Sequence, residues 1–169
     1  MPIAPRKYYL GVDPGWSGEF IIITSGKNYS TYVARCPGDA SDKDLYEWLK
    51  EWAETGTLFA TIEKVQGFIG TMGQPASAAF KFGHSFGRDL MALTAANIPF
   101  EEVIPHMWQK RMGIPSRRTS AGESQKDWKN RLKEHAQRLF PVGIKITLAN
   151  ADALLIAEYT LRKKEGGLI

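Results

Sequence analysis

Two apolar segments of this chain each end in an acidic residue. Residues 8–12 and 58–62 have the length and composition of buried β-strands, and Asp13 and Glu63 follow them directly. A third acid, Asp152, opens an apolar helical segment. Because burying a lone charge is costly, these carboxylates indicate that a cation lies beside them. If the three acids converge at one end of a sheet, they offer the oxygen ligands that Mg²⁺ and Mn²⁺ prefer, which suits phosphodiester chemistry.

Turn residues and hydrophobic periodicity predict the element order β-β-β-α-β-α-β-α-α, with a further short helix between the last strand and the last two helices. The predicted strands cover residues 8–12, 20–23, 29–34, 58–63 and 100–104, and the first three form an antiparallel meander. The predicted helices cover 41–56, 75–97, 108–112, 124–140 and 149–164. A meander followed by α/β crossovers predicts an α/β fold with a mixed five-stranded sheet flanked by helices. Such sheets bind ligands at the carboxyl ends of their strands, which is where Asp13 and Glu63 fall.

Composition predicts one domain over residues 1–169 with an anionic partner. The formal net charge is +4, and residues 110–138 carry nine Lys or Arg against three acids. The lone Cys36 excludes an internal disulfide, and no apolar run has the length of a signal peptide or a membrane span. We therefore expect a cytoplasmic protein without membrane contact.

The basic stretch has two interpretations. It could be a solvated helix face, or it could contact the phosphates of a nucleic acid. Binding of the second kind weakens steeply as the salt concentration rises. The residues that cluster around the polar loop 116–123 are the phosphate candidates: Lys110, Arg117, Arg118, Lys126 and Lys129. One of these lysines could instead stabilise a charged transition state, and the sequence does not decide which.

The glycine-rich segment 67–74 also has two interpretations. It could be a flexible connector between a strand and a helix. Alternatively, its small residues could let a DNA backbone approach closely while apolar tips, with Phe68 as the first choice, wedge between bases.

Each acid has an ordinary structural explanation when it is taken alone. Asp13 could belong to an Asp-Pro-Gly turn, Glu63 could pair with Lys64, and Asp152 could interact with a helix dipole. All three explanations must hold together for the site to be absent. Clustered carboxylates are needed where two divalent ions roughly 3.5–4 Å apart hold the attacking water and the leaving oxygen of a phosphodiester.

Several motifs resemble those of RuvC-type Holliday-junction resolvases. They are Gly11-Val12-Asp13-Pro14-Gly15, Ile62-Glu63-Lys64-Val65 and the segment from Ala151-Asp152-Ala153 to Glu158-Tyr159. Segments 77–87 and 123–133 are similar to internal segments of the phage and bacterial branch of that family. The resemblance spans about residues 8–160.

The resemblance implies a ribonuclease-H-like fold, a homodimer and two Mg²⁺ (or Mn²⁺) per active site. It also implies paired, symmetric nicking of four-way DNA junctions, with Asp13, Glu63 and Asp152 as the metal ligands. One position departs from the family pattern, which places a further Asp or His three or four residues before the last acid. Ala149 and Leu148 stand there, and neither can bind a metal. A junction-binding protein with weak or no cleavage is therefore the alternative.

Overall fold

Five strands form one mixed sheet in the computed structural model, which describes residues 6–27, 30–64, 76–118 and 121–166. The strands are β1 (Lys7–Asp13), β2 (Glu19–Thr24), β3 (Thr31–Pro37), β4 (Thr57–Glu63) and β5 (Phe100–Val103). Their order across the sheet is β3-β2-β1-β4-β5. The meander β1-β2-β3 is antiparallel, whereas β4 is parallel to both β1 and β5. The predicted mixed five-stranded α/β sheet is confirmed.

Within the described residues, five helices flank the sheet: α1 (Asp42–Thr55), α2 (Ala76–Ala95), α3 (Pro105–Arg111), α4 (Gln125–Leu139) and α5 (Ala151–Lys164). Ser41 caps α1, since its side chain accepts a hydrogen bond from the Asp44 amide. The prediction for α3 was wrong at its start, because the helix begins at Pro105 and not near Trp108. Proline is suited to the first helical turn, where its missing N–H costs nothing. None of the described helices is long and apolar enough to cross a membrane.

The third strand differs from its predicted bounds of 29–34, because it continues to Pro37. Cys36 pairs with Phe20 of β2 and packs into the core, so pairing and burial extend the strand beyond its apolar stretch. Residue 29 lies outside the described residues.

Two hydrophobic cores cover the two faces of the sheet. Alternate residues of β1 divide between them, with Tyr9 facing α5 and Leu10 facing the side of α1 and α2. Every residue from Ala151 to Thr160 is buried, so α5 is the most enclosed helix of the described chain. Its position is therefore set by packing on all sides, including the first turn that carries Asp152.

Gly11 fixes how closely α5 approaches β1. A Cβ atom at this position would lie 2.1 Å from the carbonyl oxygen of Ala153 and 2.3 Å from the amide nitrogen of Ala157. Both neighbours are backbone atoms and cannot move without moving the helix. The glycine thus lets the first turn of α5 lie against the carboxyl half of β1.

Candidate metal centre

The three acids identified in the sequence come together at one edge of the sheet. Strands β1 and β4 are adjacent and parallel, with Val12 paired to Ile62, so Asp13 and Glu63 leave the sheet at the same edge. The close approach of α5 brings Asp152 to this edge. Burial raises the pKa of Asp13 well above its usual range, and the charges of Asp152 and Glu63 raise it further. The three carboxylates therefore interact electrostatically, although they lie in three separate elements.

Lys129 on α4 supplies the positive charge of the cluster. Its ammonium nitrogen forms an ion pair with Oδ2 of Asp152. Burial by itself would lower the pKa of Lys129, but the charges of Asp152, Asp13 and Glu63 raise it above its usual value. Its side chain remains 35% exposed, so the ammonium group is reachable from solvent. The structure thus separates Lys129 from the other predicted phosphate-binding residues and places it among the acids.

Trp108 contacts the cluster from α3. Its side chain is fully buried, and its indole N–H donates a hydrogen bond to Oε2 of Glu63 at 2.8 Å. The pKa of Glu63 is raised to about 7, and burial is the largest cause. The bond from Trp108 lowers this pKa, and the charge of Asp152 raises it.

The contact between Trp108 and Glu63 is not evident from the sequence. The available signal was positional, because α3 directly follows β5, and Val103 of β5 pairs with Glu63. The alternative that Glu63 pairs with Lys64 is wrong, since Lys64 forms its ion pair with Glu102 at 3.7 Å.

The donor set suits a hard divalent cation in its chemistry. Three carboxylates supply only oxygen ligands, and Oδ1 of Asp152 is buried without a hydrogen-bond partner among the described residues. Within these same ranges, however, no three His, Cys, Asp or Glu side chains are arranged to hold an ion as they stand. Lys129 occupies one oxygen of Asp152, and Trp108 occupies one oxygen of Glu63. The chemistry of these donors suits a divalent cation, whereas their present arrangement does not form a site for one.

The positions preceding Asp152 contribute no ligand. Leu148 is 43% exposed, and Ala149 is exposed beside it. Asn150 is buried, but its amide group closes the loop that leads into α5. Its Oδ1 accepts from the Thr147 amide at 2.8 Å, and its Nδ2 donates to the Lys145 carbonyl at 3.1 Å. The fourth acid expected from the resemblance is therefore missing from this loop.

A fourth buried carboxylate lies nearby on α2, where the sequence did not indicate one. Asp89 is completely buried and pairs with Arg88 at 2.8 Å. Burial raises the pKa of Asp89 to about 6, although Arg88 and the backbone N–H of Gly15 act to lower it. The charge of Asp89 contributes to the raised pKa of Asp13. The available signal was an Arg-Asp pair within a helix of apolar and small residues.

The remaining predicted DNA-binding residues are exposed or lie outside the described residues. Lys110, Arg117, Arg118 and Lys126 are exposed. Arg117 donates to the Glu123 carbonyl at 3.2 Å and to Gln125 Oε1 at 3.1 Å, which ties the polar loop to α4. Phe68 and the glycine-rich segment 67–74 lie outside the described residues.

No protein-family model matches the chain, and no curated protein matches it by sequence. Solved structures do match. RuvC of Thermus thermophilus has a TM-score of 0.63 and 16% identity, over 95% of this chain and 98% of that one. The T. thermophilus RuvC solved in complex with a Holliday junction substrate has a TM-score of 0.62 and 14% identity, over 96% and 98%. The chain therefore has the α/β fold of RuvC, a mixed five-stranded sheet of the ribonuclease-H-like kind.

Proposed function

We propose that this protein is a metal-dependent endonuclease that resolves four-way (Holliday) DNA junctions by paired, symmetric nicks. The observation that carries the proposal is the meeting of Asp13, Glu63 and Asp152, from three elements, at the carboxyl edge of a ribonuclease-H-like sheet. The likeness in fold to RuvC, which has been solved in complex with a Holliday junction substrate, supports the choice of substrate class.

The three acids are the residues that would hold Mg²⁺, or Mn²⁺ in its place, with two ions per active site. Such ions supply an activated water and neutralise charge on the scissile phosphate. We assign different roles to Lys129 and Trp108. Trp108 fixes the orientation of Glu63 through the bond to Oε2. If Asp152 held an ion, Lys129 would be released from its ion pair and would be free to donate to a phosphate oxygen, where a positive charge stabilises the developing negative charge.

The exposed basic residues suit contact with the DNA backbone. Lys110, Arg117, Arg118 and Lys126 are accessible, and contacts of this type position the duplex without reading its sequence. We expect the logarithm of the binding constant to fall with the logarithm of salt concentration by about 0.9 per neutralised phosphate. Phe68 is the proposed wedge at the junction centre.

Pairing of two nicks requires two active sites, and the exposed face of α2 suits a homodimer. Phe80 is 75% exposed and Met91 is 63% exposed. A groove of about 580 Å³ runs along the helix past Gly83 and Gly87, where an added Cβ would meet no atom within 4 Å. A two-fold dimer formed through this face would match the symmetry of a four-way junction.

The alternative function is junction binding with weak or no cleavage. The specific observation in its favour is that Leu148 and Ala149 provide no fourth ligand, while Asn150 is engaged in its own loop. A site with one carboxylate fewer has less negative charge with which to hold two divalent ions.

A nicking assay on a synthetic four-way junction, first with Mg²⁺ and then with Mn²⁺, separates the two functions. The proposed nuclease cuts paired strands, and Asp13→Asn abolishes product while binding is retained or improved, since a negative charge near phosphate is removed. Exposed Glu54→Gln on α1 is the matched control and leaves cleavage unchanged. Tight binding without product in either metal, with cleavage gained by Ala149→Asp or Leu148→Asp, would establish the alternative. Normal cutting by Asp13→Asn would contradict the metal-site assignment.

A further inference from the structure

The turn that follows Asp13 is clamped from α2 by two neighbouring residues. The Arg88 side chain is only 10% exposed and lies between α2 and the loop that joins β3 to α1. Its Nε and one terminal nitrogen donate to Oδ1 of Asp89 at 3.0 and 2.8 Å. The same terminal nitrogen donates to the Gly38 carbonyl at 2.7 Å, and the other donates to the Ala40 carbonyl at 3.2 Å. Arg88 thus joins the helix and the loop through both of its terminal nitrogens.

Backbone hydrogen bonds continue from this loop to the turn after Asp13. The Gly38 amide donates to the Gly18 carbonyl at 2.9 Å, and the Gly18 amide donates to the Gly15 carbonyl at 3.0 Å. A Cβ at Gly18 would lie 1.9 Å from the Asp13 carbonyl oxygen, and one at Gly38 would lie 2.3 Å from the Gly15 carbonyl oxygen. The backbone segments are therefore packed against one another without spare room. Contact is continuous from the Arg88 guanidinium to the backbone of Asp13.

Asp89 also contacts the turn that contains Gly15. Its Oδ2 is buried and has no hydrogen-bond partner within the described ranges, while its Oδ1 is held by Arg88. The backbone N–H of Gly15 acts on this carboxylate and lowers its pKa. A buried ion pair is frequently no more stable than an apolar pair of the same size. The pair is thus poorly explained by stability.

We propose that Arg88 and Asp89 are positioning residues that fix the orientation of Asp13 for metal binding, an inference that rests on the proposed metal-dependent function. Arg88 holds the backbone of the Asp13 turn through Gly38, and Asp89 adds a negative charge close to this turn, which favours a cation there. Neither residue has to touch the metal. Mutation of residues that orient metal ligands in this way typically lowers metal affinity or activity by about 10- to 100-fold.

The test is a titration of the full chain with Mn²⁺ in the absence of DNA. Electron paramagnetic resonance of the free ion measures the affinity. The double variant Arg88→Met/Asp89→Leu replaces the pair with apolar side chains of similar size, and Asp89→Asn removes the charge alone. We expect the double variant to bind Mn²⁺ at least about tenfold more weakly and to retain a cooperative thermal transition. The control Lys43→Met/Glu47→Leu removes an exposed ion pair of α1 and leaves Mn²⁺ affinity unchanged.

A purely structural role predicts a different result, because a fully folded variant then binds Mn²⁺ as the wild type does. Wild-type affinity in the folded double variant would overturn the positioning role and leave the proposed function intact. If the double variant does not fold, Asp89→Asn decides the question by the same comparison. A wild-type chain that binds no Mn²⁺ would overturn the proposed function, and the positioning role with it.

Discussion

Replacing Lys129 with Met removes the positive charge that the structure places on Asp152. Asp152 is almost completely buried, and its Oδ1 already lacks a hydrogen-bond partner in the described part of the chain. Without Lys129, no ion pair to any of the three acids remains among the described residues. We therefore expect the metal-free variant to be less stable than the wild type.

The size of this effect follows from the exposure of the pair. Breaking a buried ion pair by removing one partner costs about 3–5 kcal/mol. The Lys129 side chain is 35% exposed, so solvent screens part of the charge. We discount the cost to about 2 kcal/mol, which for a chain of this length lowers Tm by roughly 4–8 °C.

Differential scanning calorimetry measures both the loss and its dependence on metal. The experiment compares the two proteins in chelator and in excess Mg²⁺, where an ion at a hundredfold excess over Kd adds about 2.7 kcal/mol. The variant gains more than the wild type, because no ammonium group competes for Asp152. We expect the Tm deficit to fall to less than half of its value in chelator.

Lys126→Met is the matched control, since Lys126 is exposed on the same helix and its ammonium group has no ion pair among those described. This substitution is expected to leave Tm unchanged in chelator and in Mg²⁺. If Lys129→Met behaves like Lys126→Met, Lys129 is not the internal counter-ion of the acids. A deficit that persists undiminished in Mg²⁺ would show that no metal replaces the lysine at Asp152.

Three further predictions concern the same edge of the sheet. Because the pKa of Glu63 rises from 4.5 to about 7 on folding, the folded state binds an extra proton in this range, and the stability of the metal-free protein should fall as the pH rises from about 4.5 to 7. Measurement of Tm against pH in the presence of chelator checks this. Added Mg²⁺ should offset the fall. Trp108→Phe removes the bond that lowers the Glu63 pKa, so the pH dependence of Mn²⁺ affinity should move by about one unit to higher pH; an unmoved profile would exclude this role. Gly11→Ala forces α5 away from β1 and should cost about 3 kcal/mol or more in urea unfolding, with weaker Mn²⁺ binding; near-wild-type stability would contradict the close packing.

Much of the fold was predictable because local patterns determine it. Apolar runs of strand length and the turn residues after them predicted the order of the strands and helices, and the acids at two strand ends located the edge of the sheet that carries the candidate site. The start of α3 was less predictable, since Pro105 permits either a break in the chain or a first helical turn. The end of β3 was also less predictable, because Cys36 extends this strand only through its pairing with β2.

The sequence by itself determined which acids end the buried elements, because burial and turn chemistry are written in neighbouring residues. It could not determine which cation they meet. Lys129 is one of several equivalent basic residues in its stretch until α4 packs beside α5 and pairs it with Asp152, 23 positions away. The bond from Trp108 to Glu63 joins residues 45 positions apart. These contacts depend on how helices pack over the sheet, and that packing is set by Gly11 and the two cores together, so only the tertiary structure decided the chemistry around the acids.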